Sequence, residues 1–559
     1  MAGVSTAEVY LRHLRRRGVD RLFVNAGTDF ATLVELYSRY DKPDPGLPDV
    51  VVCAHENLAV SMAHGAYLAT GRAQAVMVHT SVGTANAVCG LFSASRARVP
   101  VLLTAGRTPL FEDGALGARN AGIHWGQELY DQAGMVRELV KWDYELRDPV
   151  HVSDVVDRAL DIALAEPRGP VYLTLPREVL ARPADTLPAD ARALSLPTPP
   201  APHPAAVALL ADRLAAARYP VIVTSGTGAD VATVPLLADL CDRFHIGVAE
   251  REPRYVNVPA DHPLHLGHDV ADADLLCFLD VDVPWIPRTG RPGDGTFVAQ
   301  CGPDPLFTGY PIRGHRADLS VTASPRALLE ALGEALEERR DRVDATRRAP
   351  LAAAAAARRE RIAARLEAST SASGPIDKTF LNLALREVRD PSTVVVDEYW
   401  CSPELLGATE PGTYYGSPPA GALGWGLPAA LGVQLASPDR TVVATVGDGA
   451  YMFANPAACH HAMARHGLPV LVVVATNSVW GAVDGSTLGM YPKGELAARG
   501  GPSVFAQLDP IPEFERYAEA SGGLGLVVHE RHELVPALRT ALQVVREERR
   551  HALVNVLCA

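Results

Sequence analysis

The chain has 559 residues, 48% hydrophobic and 21% charged, with 46 Gly and 44 Pro, a globular composition with room for about three to five domains of roughly 100–200 residues each. Lys and Arg total 52 against 65 Asp and Glu, for a net charge of −13, which excludes the basic stripe of a nucleic-acid binder. The 8 cysteines are scattered without a CxxC pair, the N-terminus lacks a long apolar signal core, and no run of about 18 apolar residues occurs, so the reading is a cytoplasmic protein without disulfides or membrane spans.

In chain order, MAGVSTAEVYLRHLRRRGVD patterns as an amphipathic helix. Apolar runs at 21–27, 49–54, 74–80, 99–106 and 170–176 each read as buried strands. Helical stretches lie between them, such as Glu56 to Thr70, which Gly71 can end as a left-handed residue. Alternating strands and helices with right-handed crossovers give a parallel sheet. Between Pro188 and Pro204 the segment LPTPPAPHP is too rich in proline for helix or central strand and reads as a linker. A second block, 205–335, carries strands at 220–226 and 274–281. Gly226 and Gly228 follow the first of these, but Val231 breaks a GxGxxG pattern, so a tight turn is expected and no nucleotide. Residues 335–370 read as a solvated helical connector. A third block opens near Asp377, with strands at 392–398, 440–447, 469–477 and 552–558. The expected architecture is α/β: three doubly wound parallel-sheet domains over residues 1–187, 205–340 and 371–559.

The segment 446–477 is the richest in chemistry. A strand ends in Gly447-Asp448-Gly449, a helix over about 455–466 returns the chain, and a second strand ends at Asn477. Parallel strands joined by one crossover are usually neighbours, so Asp448 and Asn477 are expected side by side at the carboxyl edge where open α/β sheets bind ligands. A carboxylate, an amide oxygen and a nearby carbonyl suit Mg²⁺, and the glycines let backbone N–H groups approach a diphosphate.

This stretch resembles the thiamin-diphosphate motif, in which GDG is followed some thirty residues later by Asn. The likeness extends over nearly the whole chain, in the domain order pyrimidine-binding, central and diphosphate-binding of the benzoylformate decarboxylase and acetolactate synthase superfamily. It implies Asp448, Asn477 and the carbonyl of Val479 as metal ligands, with Gly447, Gly449 and Ala450 along the diphosphate. Ala450 stands where the family usually has Ser, and Thr476 replaces the first Asn of an Asn-Asn pair.

In AHENLAV the resemblance implies that Glu56 hydrogen-bonds the aminopyrimidine and promotes loss of the thiazolium C2 proton. VHTSVGTANAVCGL (78–91) reads as a strand end followed by a small-residue turn through Gly83 and Ala85. Its likeness to benzoylformate decarboxylase implies an acid–base role for His79 and a site-shaping role for Asn86. NAGTDF carries Thr28 or Asp29 where the family has serine. GSPPAGALGWGLPAALG resembles the family's cofactor-bending segment, which implies that Gly421 offers its carbonyl to the 4′-amino group and that Leu423 wedges the cofactor into a V. In the turn DEYWCS, Trp400 and Cys401 replace the usual hydroxyls, leaving backbone N–H groups as donors to diphosphate. IHWGQELYDQAG resembles the acetolactate synthase and aldehyde lyase segment in which a Gln lies near substrate, here Gln127, with His124 its neighbour. His460 and His461 are expected to be structural or partly exposed.

The resemblance thus implies a thiamin diphosphate- and Mg²⁺-dependent 2-oxo acid decarboxylase or carboligase working through a C2 ylid and an enamine. An acetolactate-synthase-like carboligase, an aldehyde lyase and a catalytically silent scaffold are the alternatives. The partners implied are a small 2-oxo acid or aldehyde and further copies of the chain, as a homodimer or homotetramer with sites between subunits, and no nucleic acid or membrane.

Overall fold

The structure, a computed structural model, describes residues 4–184 and 196–558. Part of the proline-rich linker, 185–195, lies outside the described residues, and 196–203 runs without helix or strand up to a helix opened by Pro204.

Three parallel sheets of six strands each form the frame. The first contains β1 (Arg21–Val24), β2 (Asp49–Val52), β3 (Gln74–Val78), β4 (Val101–Arg107), β5 (Asp143–Glu145) and β6 (Val171–Pro176), in the order β2-β1-β3-β4-β6-β5. The second is built from β7 (Pro220–Thr224), β8 (Gly247–Glu250), β9 (His265–Gly267), β10 (Leu275–Leu279), β11 (Phe297–Gly302) and β12 (Leu319–Thr322), ordered β12-β11-β10-β7-β8-β9. The third comprises β13 (Val394–Glu398), β14 (Tyr414–Tyr415), β15 (Val442–Gly447), β16 (Val470–Thr476), β17 (Leu524–Val528) and β18 (Ala552–Leu557), ordered β14-β13-β15-β16-β18-β17. The central strands are continuous Val, Leu and Ala runs because helices cover both faces, so both sets of alternating side chains are buried.

The helix Glu56–Thr70 is capped at its start by the His55 ring, which accepts from Asn57 N, and ends as expected at Gly71, with φ +66°. It packs on the helix Gly426–Ala436 of the third domain. Contact is close because glycines meet backbone: a Cβ at Gly65 would overlap the Ala429 carbonyl, and one at Gly432 the Met62 carbonyl. Trp425 Nε1 donates to His64 Nδ1 across the same contact at 3.1 Å. One hydrophobic core therefore runs from Phe23 and Val78 in the first domain to Leu427 and Val446 in the third.

Two readings need correction. The 335–370 connector is not simply solvated: its helix Arg348–Ser371 buries Leu351 and Ala355, and buried Arg358 pairs with Glu404 at 2.7 Å, tying it to the third domain. Residues 80–96 form a helix rather than a small-residue turn, opening at Thr80 with φ +40°.

Candidate active site

β15 and β16 are direct neighbours, with Gly447 opposite Ala475, so the residues after each strand meet. Asp448 opens a short helix, Asp448–Phe453, which precedes the helix Pro456–His466. Its Oδ1 accepts from Gly449 N at 2.7 Å, and its Oδ2 from Asn477 N at 3.0 Å and Ser478 N at 2.7 Å. Asn477 Oδ1 accepts from Val479 N at 3.1 Å. Ser478 takes φ +59°, the turn that folds both amides back onto the carboxylate. Burial pushes the Asp448 pKa up against the pull of these amides, and among the described residues no ion pair neutralises it. A buried carboxylate without a cation, beside an amide and a carbonyl, is an oxygen donor set suited to Mg²⁺. Gly449 leaves room for the Trp480 ring, which a Cβ would overlap, and Ala450 is buried. Thr476 is held from behind, donating to Asn555 Oδ1 at 2.7 Å while Asn555 donates to Glu515 at 3.0 Å. His460 is buried against Tyr451 OH at 2.8 Å, and burial lowers its pKa to about 3; His461 is exposed.

β13 ends in two buried carboxylates that the motif reading passed over. Asp397 accepts from Cys401 N at 2.8 Å and from Thr445 Oγ1 at 2.7 Å. Glu398 accepts from Gly424 N at 2.8 Å and Gly426 N at 2.7 Å. Burial raises their pKa values to about 6 and about 7, respectively. The donors expected in the 399–402 turn are thereby corrected: the Trp400 and Cys401 amides bond Asp397, and Trp400 Nε1 donates to Val446 O at 3.1 Å. Tyr399 adopts φ +95° and stands exposed beside Gly421, itself at φ +59°. Leu423 packs half-buried on the shared core, with its carbonyl 3.9 Å from Cys89 Sγ. A cavity of about 460 Å³ opens between this loop and the central domain, lined by Tyr399, Cys401, Gly421, His265 and His268.

In the first domain, Glu56 heads its helix, buried, and receives Asn86 Nδ2 at 3.2 Å. Its Oε1 lies 3.3 Å from where a Cβ at Gly83 would sit, so glycine there keeps the carboxylate uncovered. His79 immediately precedes the helix Thr80–Arg96 without a side-chain capping bond, and its Nδ1 lies 2.6 Å from Asp29 Oδ1. Ser81 Oγ donates to the Gln127 carbonyl at 2.7 Å, bringing the helix Ile123–Gly126 to the same place. Gln127 Oε1 is buried and has no hydrogen-bond partner among the described residues. His124 is buried, and burial, then Arg177, Arg119 and His79, hold its pKa down. Glu56, His79, Asn86 and Gln127 thus gather around one helix start.

Asn57 Nδ2 donates to Gly424 O at 3.4 Å, which links this cluster to the third domain. Among the described residues no hydrogen bond joins Glu56 to Asp448, Asn477 or Gly421 of its own chain.

The family model "Thiamine pyrophosphate enzyme, N-terminal TPP binding domain" matches residues 4–135, and "Thiamine pyrophosphate enzyme, C-terminal TPP binding domain" matches residues 400–556. Benzoylformate decarboxylase of Pseudomonas aeruginosa is 29% identical over 95% of this chain and 96% of its own. The acetolactate synthase isozyme 3 large subunit of Escherichia coli is 25% identical over 98% and 94%. In fold, the chain is similar to the Rhodococcus jostii thiamine diphosphate-dependent 4-hydroxybenzoylformate decarboxylase, with a TM-score of 0.77, 22% identity and 99% of each chain covered. The carboxylate seat at Asp448 and the Glu56 cluster lie one in each of the two matched segments, and the chain belongs to the thiamine pyrophosphate enzymes.

Proposed function

We propose that this chain is a thiamin diphosphate- and Mg²⁺-dependent 2-oxo acid decarboxylase in which the site's own residues deliver a proton to the carbon that has lost CO₂. The observation that carries the reading is Asp448, a buried carboxylate that pairs with no Lys, Arg or His among the described residues, at the ends of two adjacent parallel strands beside Asn477. Asp448, Asn477 and the Val479 carbonyl would hold Mg²⁺; Gly447, Gly449, Ala450 and Gly421 would receive the cofactor, with Leu423 beneath it and Glu56 at its pyrimidine. Bound there, thiamin diphosphate supplies the electron sink for cleaving the bond between a carbonyl carbon and its carboxylate.

The chain's own residues do the rest. Glu398 fixes the loop bearing Gly421 and Leu423 through two amides, so the wedge is set before ligand arrives. Asn86 donates to Glu56 and orients its carboxylate to hold and release a proton. His79, at a helix start and only partly exposed, moves a proton at the substrate from its free ring nitrogen, Nε2.

Placement supports a shared site. Among the described residues the Glu56 cluster and the Asp448 seat have no direct hydrogen bond within one chain, and Leu116, Tyr130, Met490, Tyr491 and Phe505 expose apolar side chains. A homodimer or homotetramer that sets one copy's Glu56 against another's Asp448 covers such surface and completes two sites per pair. The eight unpaired cysteines suit a reducing cytoplasm.

Carboligation is the second reading, favoured by Gln127 Oε1, which has no partner among the described residues and is an acceptor able to take a hydrogen bond from the hydroxyl formed when an acceptor aldehyde condenses. CO₂ release from a panel of 2-oxo acids, with and without an acceptor aldehyde, tests both. Release without acceptor supports decarboxylation, dependence on acceptor supports carboligation, and no release with any acid contradicts both.

A further inference from the structure

A carboxylate outside the motif holds the one histidine assigned a proton. Asp29 is buried after β1, and its two oxygens face His79 Nδ1 at 2.6 Å and Thr80 N at 3.4 Å. Two glycines make the seat. A Cβ at Gly27 would overlap the His79 ring, and one at Gly106, near the end of β4, would overlap the Asp29 carboxylate. Both members of the pair are thus fitted against bare backbone, which fixes their mutual orientation.

We propose that Asp29 is the positioning residue of His79: it takes the Nδ1 proton in hydrogen bond, leaving Nε2 to exchange protons with the substrate. The inference rests on the role given to His79 above. An ionised carboxylate can only accept, so it selects the tautomer with the proton on Nδ1 and supports the imidazolium when a second proton arrives at Nε2. The imidazolium then gives its Nε2 proton to the substrate and regains one from solvent. The groups facing His79 agree in sign. Asp29 raises its pKa most, burial opposes, and Glu56 at the head of its helix raises it further. His124 faces it from the Ile123–Gly126 helix, with its own pKa lowered by burial and by Arg177 and Arg119, so it adds no competing charge near neutrality.

Carbethoxylation by diethyl pyrocarbonate, followed at His79 by peptide mass spectrometry across pH, reads the neutral imidazole in the cofactor-free oligomer. In the wild type the midpoint should lie above the ordinary histidine value of about 6.5. In Asp29→Asn it should move to lower pH, and kcat of the loaded enzyme should fall about 100-fold with KM little changed, within the range for proton-transfer assistance. A wild-type midpoint at or below the ordinary value overturns the pairing even if Asp29→Asn does not fold. An unchanged midpoint in the variant does the same. A shifted midpoint with unchanged turnover overturns instead the role of His79, and the catalytic part of the proposal with it.

Discussion

Glu398 places one carboxylate oxygen on the amide of Gly424 and the other on that of Gly426, 2.8 and 2.7 Å away, so a fully buried acid at the end of β13 clasps the loop carrying Gly421 and Leu423. Both partners donate, and the ionised form of the glutamate, present above pH about 7, is the one that accepts with both arms. In Glu398→Gln the amide group sets a second donor against a backbone N–H. The loss should be about 1–3 kcal/mol, as for a buried donor left unpaired, measured as a shift in urea midpoint. Unaltered stability would show the clasp to be idle.

The same carboxyl predicts a pH dependence. Burial raises its pKa from 4.5 to about 7, so between those values the folded protein binds a proton that the unfolded chain has released. Stability from this group is present below 4.5 and is lost as pH rises towards about 7. In denaturant titrations the wild type should therefore lose stability relative to Glu398→Gln, which lacks the titrating group, as pH rises from 4.5 to about 7. A wild-type component that rises over the window contradicts the assignment.

Gly65 lies where two helices of different domains touch backbone to backbone. Gly65→Val should cost about 3 kcal/mol or more, because the Ala429 carbonyl it meets is main chain and cannot rotate away. A midpoint within error of wild type would mean that the two domains do not pack as described.

Much of this was open to reading from sequence, and the misses have physical causes. Asp448 and Asn477 were legible because strand adjacency follows from a single crossover, and Val-rich β15 and β16 are unmistakable. The helix from Thr80 was read as a turn because Gly83 and Ala85 look like loop residues. In the fold Gly83 is small to clear Val78 and Glu56, and Ala85 lies on the exposed side of the helix. The sequence marks Asp29 only as a possible stand-in for the family's serine and not as the partner of His79, because His79 follows β3 and the two meet only once β1 and β3 pair. Asp397 and Glu398 stood in plain view as two acids closing an apolar strand, but their amide partners at Cys401, Gly424 and Gly426 arrive from later loops. Short edge strands such as β5, β9 and β14 have two or three residues, too few for a periodic pattern.

Glu56→Gln should leave fold and Mg²⁺ binding intact while slowing deuterium exchange at C2 of bound thiamin diphosphate by about 100-fold or more, the scale of a lost proton relay. Exchange at the wild-type rate would assign activation to another group.

Mixed oligomers test the shared site. Refolding Glu56→Gln chains with Asp448→Ala chains gives heterodimers in which one site carries both lesions and the other neither, so activity should recover towards about half that of wild type. Verified heterodimers that stay inactive, or a fully active monomer in sedimentation, would contradict the arrangement.

The central claim is that Asp448 seats the metal through which the cofactor diphosphate is held, and calorimetric titration with thiamin diphosphate in the presence and absence of Mg²⁺ tests it most directly. The account predicts saturable binding to the wild type that requires Mg²⁺ and is abolished in Asp448→Ala. Absence of binding to the wild type at millimolar cofactor with Mg²⁺, or unchanged affinity in the variant, would contradict it.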